Sequence, residues 1–345
     1  MRVLVCGGAG FIGSNFIHYL RERYAKYTVI NFDKLTYAGN LDNLSALAND
    51  PRYVFVKGDI ANPLEVDRLF EAQKPDAVIN FAAETHNDKS VHGGAADFVM
   101  TNVVGVQVLL DAVKKHKVGR FVQVSTDETF GDLALDEDYS FKEDDAFKPN
   151  LPYSAAKAGG DLLCRAYFKC FKTPVMVTHC TNNYGPYQYP EKLIPFFTLR
   201  AIKDSNLPLY GDGRNVRDWI YVIDHCRALD LVLHQGVAGE VYNVDADNER
   251  SNNEIANMLL RYLGKPQRLI TFVKDRPGHD RRYSLNASKI QKDLGWEPIH
   301  DFETMLPKTI EWYLGNEEWL KRLEQRGDLI NAHISAETVR EPAAS

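Results

Sequence analysis

Three glycines, Gly7, Gly10 and Gly13, stand between a short apolar run, Arg2-Val3-Leu4-Val5-Cys6, and a stretch from Phe11 to Tyr24 with helical spacing of Phe11, Ile12, Phe16, Ile17 and Leu20. A strand that stops on glycine and turns at once into a helix leaves few architectures open. Glycine permits the tight turn, lets the backbone approach a pyrophosphate, and allows the helix to pack closely on the strand. The helix N-terminus then faces the phosphates. The run Gly7-Gly8-Ala9-Gly10-Phe11-Ile12-Gly13 therefore predicts a dinucleotide site. A plain turn can carry the same glycines, and it is the strand-to-helix setting that argues against it.

The alternation continues. Val29-Ile30-Asn31-Phe32, Tyr53-Val54-Phe55-Val56, Ala77-Val78-Ile79-Asn80-Phe81, Phe121-Val122-Gln123-Val124-Ser125 and Val175-Met176-Val177-Thr178 read as strands, with helical segments near 63 to 71 and 95 to 115. Strands and helices in this order predict an α/β fold, a Rossmann-type doubly wound parallel sheet covered on both faces. After about residue 180 the chain becomes rich in Pro, Gly, Tyr and Asn, with helices expected near 191 to 204, 221 to 235 and 251 to 263. The expected division is a dinucleotide-binding domain over 1–180, rejoined by the 221–240 region, and a smaller, loop-rich substrate-binding lobe over 181–330. The tail, 331–345, lacks apolar periodicity and is expected to be disordered.

Composition narrows the partners. With 345 residues, 44% hydrophobic and 26% charged, and a formal net charge of -6, the chain is that of an ordinary globular protein, not one built for nonspecific contact with nucleic acid or membrane. Its five cysteines, Cys6, Cys164, Cys170, Cys180 and Cys226, show no CxxC or Cys/His metal spacing, which predicts reduced thiols and no metal centre. No apolar run approaches the length of a membrane span, and the N-terminus enters a strand without a signal-peptide layout. The expected location is the cytoplasm.

Asp33 ends the second strand twenty residues after Gly13, where a carboxylate can accept hydrogen bonds from the adenosine ribose and would repel a 2′-phosphate. That favours NAD over NADP, with Lys34 beside it working against the discrimination. Asp59-Ile60 follows the third strand and suits the adenine edge, although an acidic residue there also serves as a helix cap or turn former.

Chemistry is carried by two further segments. In Pro152-Tyr153-Ser154-Ala155-Ala156-Lys157 a phenol and an ammonium lie four residues apart, on one face of a helix. A phenol titrates at about pH 10, so it accepts a proton poorly at neutral pH unless a positive charge stabilises the phenolate. Lys157 is placed to supply that charge to Tyr153, whereas on an ordinary surface helix the pair would mean nothing. Ser125-Thr126-Asp127-Glu128 lies at the C-terminal end of the fifth strand, where open α/β sheets bind ligands. There Asp127 and Glu128 could divide acid and base roles, and Thr126 can donate to a substrate oxygen.

GGAGFIG, the Ser125-Thr126 step and YSAAK together resemble the extended short-chain dehydrogenase/reductase family. STDE, NNYGPYQYPEKLIP, LYGDGRNVRDWIYV and DRPGHDRRY resemble, within it, the dTDP-glucose 4,6-dehydratase family, from residue 1 to about 320. The resemblance implies tightly bound NAD, a nucleoside-diphosphate hexose as substrate, and a homodimer formed through the helices near 95 to 115 and 151 to 172. It implies that Tyr153 takes the proton of the sugar 4-hydroxyl as hydride leaves C4 for NAD, with Lys157 lowering the Tyr153 pKa and holding the nicotinamide ribose. Thr126 orients the 4-oxygen, Glu128 removes the C5 hydrogen as Asp127 protonates the departing 6-hydroxyl, and hydride returns to C6 to give the 4-keto-6-deoxy sugar. Asn182, Asn183 and Lys192 would meet the hexose or diphosphate, with His86 and Asn87 close to the sugar. Arg217, Asn252, Arg276 and His279 would surround the diphosphate and nucleoside.

Other readings stay open on the residues alone. Arg217-Asp218 could be a surface ion pair and His279 an interior histidine. A nucleotide-sugar 4-epimerase or a UDP-sugar 4,6-dehydratase shares the fold, and a non-catalytic NAD-binding regulator would keep the cofactor site without needing Thr126, Asp127, Glu128, Tyr153 and Lys157 together. The chain also departs from the family pattern. Ala82-Ala83-Glu84-Thr85-His86-Asn87-Asp88-Lys89-Ser90 stands where AAESHVDRS is usual, Thr129-Phe130 where Val-Tyr is usual, and His179-Cys180-Thr181 where Arg-Cys-Ser is usual. These changes leave the reaction type intact and bear on sugar or nucleotide specificity, unless they are neutral drift.

Overall fold

The computed structural model describes residues 1–325 apart from Gly93 and Arg276, so both the tail from 331 and the Arg276 expectation lie outside the described residues. The chain opens with β1 (Arg2–Cys6), α1 (Phe11–Arg23), β2 (Thr28–Asp33), β3 (Tyr53–Lys57), α2 (Pro63–Gln73) and β4 (Ala77–Asn80). Next come α3 (Asn87–His92), then α4 (Ala96–Val99), a π-helical stretch (Met100–Gly105) and α5 (Val106–Lys115), followed by β5 (Arg120–Thr126), α6 (Pro152–Phe171) and β6 (Val175–Cys180). These strands, with β10 (Val241–Val244), form one seven-stranded sheet of order β10-β6-β5-β4-β1-β2-β3, in which every pair is parallel.

Why the sheet is covered on both faces is visible in single residues. Val3, Val5, Ala77, Ile79, Val122 and Val124 point to one side, where they join Phe16, Ile17 and Leu20 of α1 and Leu229, Val232 and Leu233 of α8 (Val222–Gln235). Their neighbours Leu4, Cys6, Val78 and Phe121 point to the other, against Val66, Leu69 and Phe70 of α2, Leu109 and Val113 of α5, and Cys164 of α6. Strands buried on both faces read as continuous apolar runs, which is how they stand in the sequence.

Between β6 and β10, and again after β10, the chain builds a second layer. β7 (Asn182–Tyr184), β9 (Val216–Tyr221) and β11 (Glu249–Ser251) make a three-stranded sheet, and β8 (Leu207–Tyr210) pairs with β12 (Ile270–Val273). α7 (Leu193–Ile202), α9 (Asn252–Tyr262) and α11 (Phe302–Gly315) bury Ile194, Phe197, Leu259 and Ile310 in their common core. α10 (Ser288–Leu294) packs on α8 and β10, and α12 (Glu317–Gln325) closes the described chain, its Trp319 indole donating to Asn43 Oδ1 at 2.8 Å.

One sequence reading needs correcting. Taken as one helix, Ala96–Lys115 is long and apolar enough to cross a membrane by length and composition. Its apolar residues have a different destination: half of it is buried, with Val106, Leu109, Leu110 and Val113 fully inside the sheet's helical cover.

The π-helical stretch is where this helix meets α6 most closely. A Cβ built on Gly160 of α6 would lie 2.5 Å from the Asn102 carbonyl oxygen, so the two backbones can touch only over glycine. At Gly159 the nearest atom would be a Val103 methyl at 3.2 Å, which can move aside. Gly160→Ala gains helix propensity of about 1 kcal/mol, yet it overpacks against backbone, which typically costs about 1–3 kcal/mol and occasionally more. We expect a net loss of about 1–2 kcal/mol in urea unfolding for Gly160→Ala, against little change or a slight gain for Gly159→Ala.

Candidate active site

The turn after β1 is a cradle that side chains would fill. Gly7 sits at φ +75, and a Cβ there would lie 2.5 Å from the Ala82 nitrogen; one on Gly13 would lie 2.3 Å from the Gly7 carbonyl oxygen. Gly10 is different, since its Cβ would meet nothing closer than 3.4 Å, and it is the residue that opens α1. No side chain caps α1 and no acidic residue occupies its first turn. The helix N-terminus is thus presented to the cleft lined by Gly7, Gly10, Phe11, Ile12 and Gly13, as an anion requires.

At one end of this cleft Asp33 closes β2, almost buried, with its carboxylate accepting from Ala9 N at 2.9 Å and Leu35 N at 2.8 Å. Burial raises its pKa, while the two amide donors work in the other direction. Asp33 therefore both pins the glycine turn and faces the cleft. Lys34 does not stand beside it unengaged: its ammonium pairs with Asp59 Oδ2 at 2.7 Å. Asp59 Oδ1 also accepts from Ala61 N at 2.9 Å, so this residue is a turn former as well as a lining group, and Ile60 beneath it is packed over Gly105.

The other end gathers the proposed chemical groups. Thr126 ends β5 and donates its hydroxyl to Asp127 Oδ1 at 3.0 Å. Asp127 is 3% exposed, and its Oδ2 is buried without a hydrogen-bond partner. Burial first, and the charge of Glu128 second, push its pKa up from 3.8 to about 8. Asp127 thus holds a proton at neutral pH, the condition for a general acid. Glu128 faces the Asn87 amide, whose Nδ2 lies 3.3 and 3.2 Å from its two carboxylate oxygens.

Tyr153 and Lys157 lie on the first two turns of α6 and line the same cleft. The expected electrostatic partnership differs in detail. The Tyr153 phenol is raised well above 10.0 by burial foremost, then by Glu128, Cys180 and Asp127, with Thr126 acting against them. Lys157 instead donates to the Val124 carbonyl oxygen at 2.7 Å; burial lowers its pKa and Asp161, one turn further along α6, opposes that. Shared helix face brings the two side chains to one cleft, but a buried ammonium turns to the nearest strong acceptor, which here is backbone of β5.

Four residues, Glu128, Asn182, Glu191 and Lys192, line both this cleft, about 290 Å³, and a second of about 180 Å³, so the two run into one another. The second is walled by His86, Asn87, Arg217, Asn252 and His279, together with Tyr210, Trp219 and Tyr283. Lys192 donates to the Thr85 carbonyl oxygen at 3.0 Å. His279 Nδ1 lies 2.6 Å from Asp275 Oδ1. Arg217 is no surface ion pair: Asp218 is fully buried and accepts from Thr181, Ala246 and Asn248, whereas Arg217 donates to the carbonyl oxygens of Val216 at 2.6 Å and Asp280 at 2.9 Å and stacks over Tyr283 at 4.2 Å. Asn183 touches the cleft wall but commits its amide inward, to Thr181 O at 3.1 Å and His225 Nδ1 at 2.9 Å, leaving Asn182 as the neighbour that reaches both clefts.

Three of the departures from the family pattern lie behind the site and not on its wall. His179 is fully buried, 3.3 Å from Asp161 and edge-on to Phe130 and Phe147. Thr129 is also fully buried and donates to the Thr126 carbonyl oxygen at 2.9 Å. Two residues that the sequence reading passed over do line the clefts. Glu191 precedes Lys192 and accepts from the Tyr37 hydroxyl at 3.0 Å, and Tyr283 closes the DRRY motif. Their places beside residues already singled out were the available signal.

Sheet order, glycine turn and the Tyr153–Lys157 helix are those of an extended short-chain dehydrogenase/reductase. A family model described as GDP-mannose 4,6 dehydratase matches residues 4–309. The chain is 46% identical over 338 residues to the dTDP-glucose 4,6-dehydratase of Neisseria meningitidis serogroup B, covering 92% of this chain and 94% of that one. Among solved structures it resembles the dTDP-glucose 4,6-dehydratase of Bacillus anthracis in complex with NAD (TM-score 0.87, 48% identity, 94% and 99% of the two chains covered). It resembles equally that of Streptomyces venezuelae, solved with NAD and a dTDP ligand (TM-score 0.89, 46% identity, 94% and 100% covered). The chain belongs to the dTDP-glucose 4,6-dehydratase family.

The Asp127 proton has a consequence for stability. An unfolded Asp loses its proton around 3.8 whereas the folded one keeps it to about 8, so between those values the folded state binds more protons and stability falls as pH rises. Asp127→Asn should flatten that part of the curve, and denaturant unfolding of both proteins at pH 5 and pH 8 reads the difference. A wild-type curve no steeper than the variant's would mean that Asp127 is ionised in the folded protein.

Proposed function

We propose that this protein is an NAD-dependent dehydratase of dTDP-glucose that forms the 4-keto-6-deoxy sugar. One observation carries the reading beyond the oxidoreductase fold: two adjacent carboxyls at the end of β5, one of them buried and holding its proton, face Tyr153 in a single cleft. A dehydration needs an acid and a base side by side, which simple oxidation or 4-epimerisation does not.

The residues fit the cofactor. Gly7, Gly10 and Gly13 leave room for a pyrophosphate against the start of α1, Asp33 offers acceptor oxygens to the ribose, and the cleft runs from there to Tyr153 and Lys157. NAD, when bound, supplies the acceptor and later the donor of a hydride, so the reaction has no net redox change. Tyr153 takes the proton of the sugar 4-hydroxyl, with Thr126 orienting that oxygen. Lys157, in the same cleft, supplies positive charge toward a phenolate in so buried a place. Glu128 then removes the C5 hydrogen while Asp127 gives its proton to the leaving 6-hydroxyl. On the substrate side, Arg217, Asn252, Lys192, Asn182, His86 and His279 hold the nucleoside diphosphate in the second cleft.

A second copy of the chain is the proposed partner. Val99, Met100, Leu162 and Phe171, on the two helical segments that the family resemblance assigns to the dimer, are 45%, 50%, 55% and 54% exposed. All five cysteines are free, which supports a cytoplasmic location.

Incubation with dTDP-glucose and, separately, UDP-glucose in deuterated water tests the reaction. The expected result is a 4-keto-6-deoxy product carrying deuterium at C5, formed from dTDP-glucose in preference. An epimerised sugar without solvent deuterium would overturn dehydration, and bound NAD without turnover of any nucleotide sugar would favour a regulator. Glu128→Gln should slow elimination by about 10²- to 10⁴-fold while the absorbance of reduced nicotinamide still appears on mixing; its loss would refute the division of roles.

A further inference from the structure

Asn87 opens α3, and its neighbours in space come from a segment 41 residues away: its Nδ2 lies 3.3 Å from Oε1 and 3.2 Å from Oε2 of Glu128. A valine, the residue that the family resemblance sets at this position, would have no donor to offer. The orientation of the amide is fixed by charge. Turning Oδ1 toward Glu128 would set an acceptor against two carboxylate oxygens, and with Nδ2 facing them Oδ1 is left buried and without a hydrogen-bond partner. A side chain held in an arrangement that leaves its own acceptor unsatisfied is held there by a compensating contact, and the contact that Nδ2 makes is with Glu128.

We infer that Asn87 is a positioning residue for Glu128: its amide straddles the two carboxylate oxygens and fixes the plane in which they face the sugar. The inference rests on the dehydratase reading for what Glu128 does, but not for the contact itself. A donor shared by both oxygens favours the ionised carboxylate. It also restricts rotation about the terminal bond of the glutamate, which is otherwise a broad, nearly free torsion. In this chain, then, the base of the elimination step is oriented by a side chain and not by apolar packing alone. Asn87 thereby acts on Glu128, in place of the direct sugar contact that the sequence alone suggested.

Glu128 has other charged neighbours that any pH measurement will include. Asp127, Tyr153 and Tyr283 each feel its charge. His86, Glu191, Lys192, Arg217 and His279 share its cleft. Comparison of variants at one position keeps all of these constant.

The test uses the NAD-bound protein, Asn87→Val and Asn87→Asp. The Glu128 carboxyl is followed by carbon-13 NMR in glutamate-labelled protein and assigned by its loss in Glu128→Gln. Asn87→Val should raise the Glu128 titration midpoint by about half a unit to one unit, and Asn87→Asp, isosteric but without a donor and adding like charge, should raise it further. In turnover of dTDP-glucose, Asn87→Val should lower the rate of C5 deuterium exchange by about tenfold or more and shift its acid limb upward by the same interval, with KM little changed. A Glu128 midpoint indistinguishable from wild type in both variants overturns the proposal whatever happens to activity. A raised KM with an unmoved midpoint overturns it in favour of direct sugar contact. If wild type does not dehydrate dTDP-glucose and the midpoint still moves, the reaction assignment fails while the Asn87–Glu128 contact stands.

Discussion

Burial of ionisable groups at the C-terminal edge of the sheet is the constraint on which the rest of this structure depends. Desolvation is the largest influence on Asp127, Tyr153, Lys157 and Asp33 alike, raising the acids and lowering the amine. In each case burial works toward the neutral form, and the neighbouring charges and hydrogen bonds set how far it prevails. Two adjacent carboxyls on a solvated loop would both be ionised and would have no division of labour. Here Asp127 is inside and Glu128 partly open to the cleft, and the difference in environment between neighbours does what their identical chemistry cannot.

Holding such groups in place requires backbones that come closer than side chains allow. Gly7 and Gly13 bring the first turn against Ala82 and against itself, and Gly160 brings α6 against the π-helical stretch before α5. The second contact bears on the cleft because α6 carries Tyr153 and Lys157 on its opening turns. A shift of that helix by even a fraction of a methyl radius would move both groups relative to β5, which presents Thr126, Asp127 and Glu128. Polar ties reinforce the same geometry. Ser125 and His179 both reach Asp161, which lies one turn beyond Lys157 on α6, so the strand and helix that bear the proposed catalytic groups are also joined beneath them.

Much of this was legible because it is written in local pattern. The glycine turn, the apolar runs of β1 to β6 and the Tyr153–Lys157 spacing depend on residues within a few positions of one another, and the structure places them as the pattern implies. Other features depend on contacts that no local window contains. β7 and β11 are three-residue strands, Asn182–Tyr184 and Glu249–Ser251, whose polar residues carry no strand signal and which exist through pairing with β9. α11 accommodates Pro307 in its interior, where sequence rules place a helix boundary. The direction of the Lys157 ammonium, the proton on Asp127 and the partner of Asn87 all follow from what is buried beside them, which spacing alone does not encode.

The departures from the family pattern illustrate the same division between local and spatial information. Read along the chain, Asn87, Thr129, Phe130 and His179 look alike, since each is a change close to a motif. In space they separate. Thr129, Phe130 and His179 form a packed group beneath the Thr126 loop, with Phe130 and His179 rings 4.8 Å apart, and exchanging such residues together can preserve volume while leaving the cleft unchanged. Asn87 alone of the four lines a cleft and reaches one of the two carboxyls. A polar substitution in a buried cluster is constrained by packing, whereas one that contacts a reacting group is constrained by rate, so the two kinds of change answer to different selection and should be separable by experiment. Restoring the family residue at position 87 should alter the elimination chemistry, while restoring any one of the buried three by itself should register first as lost stability.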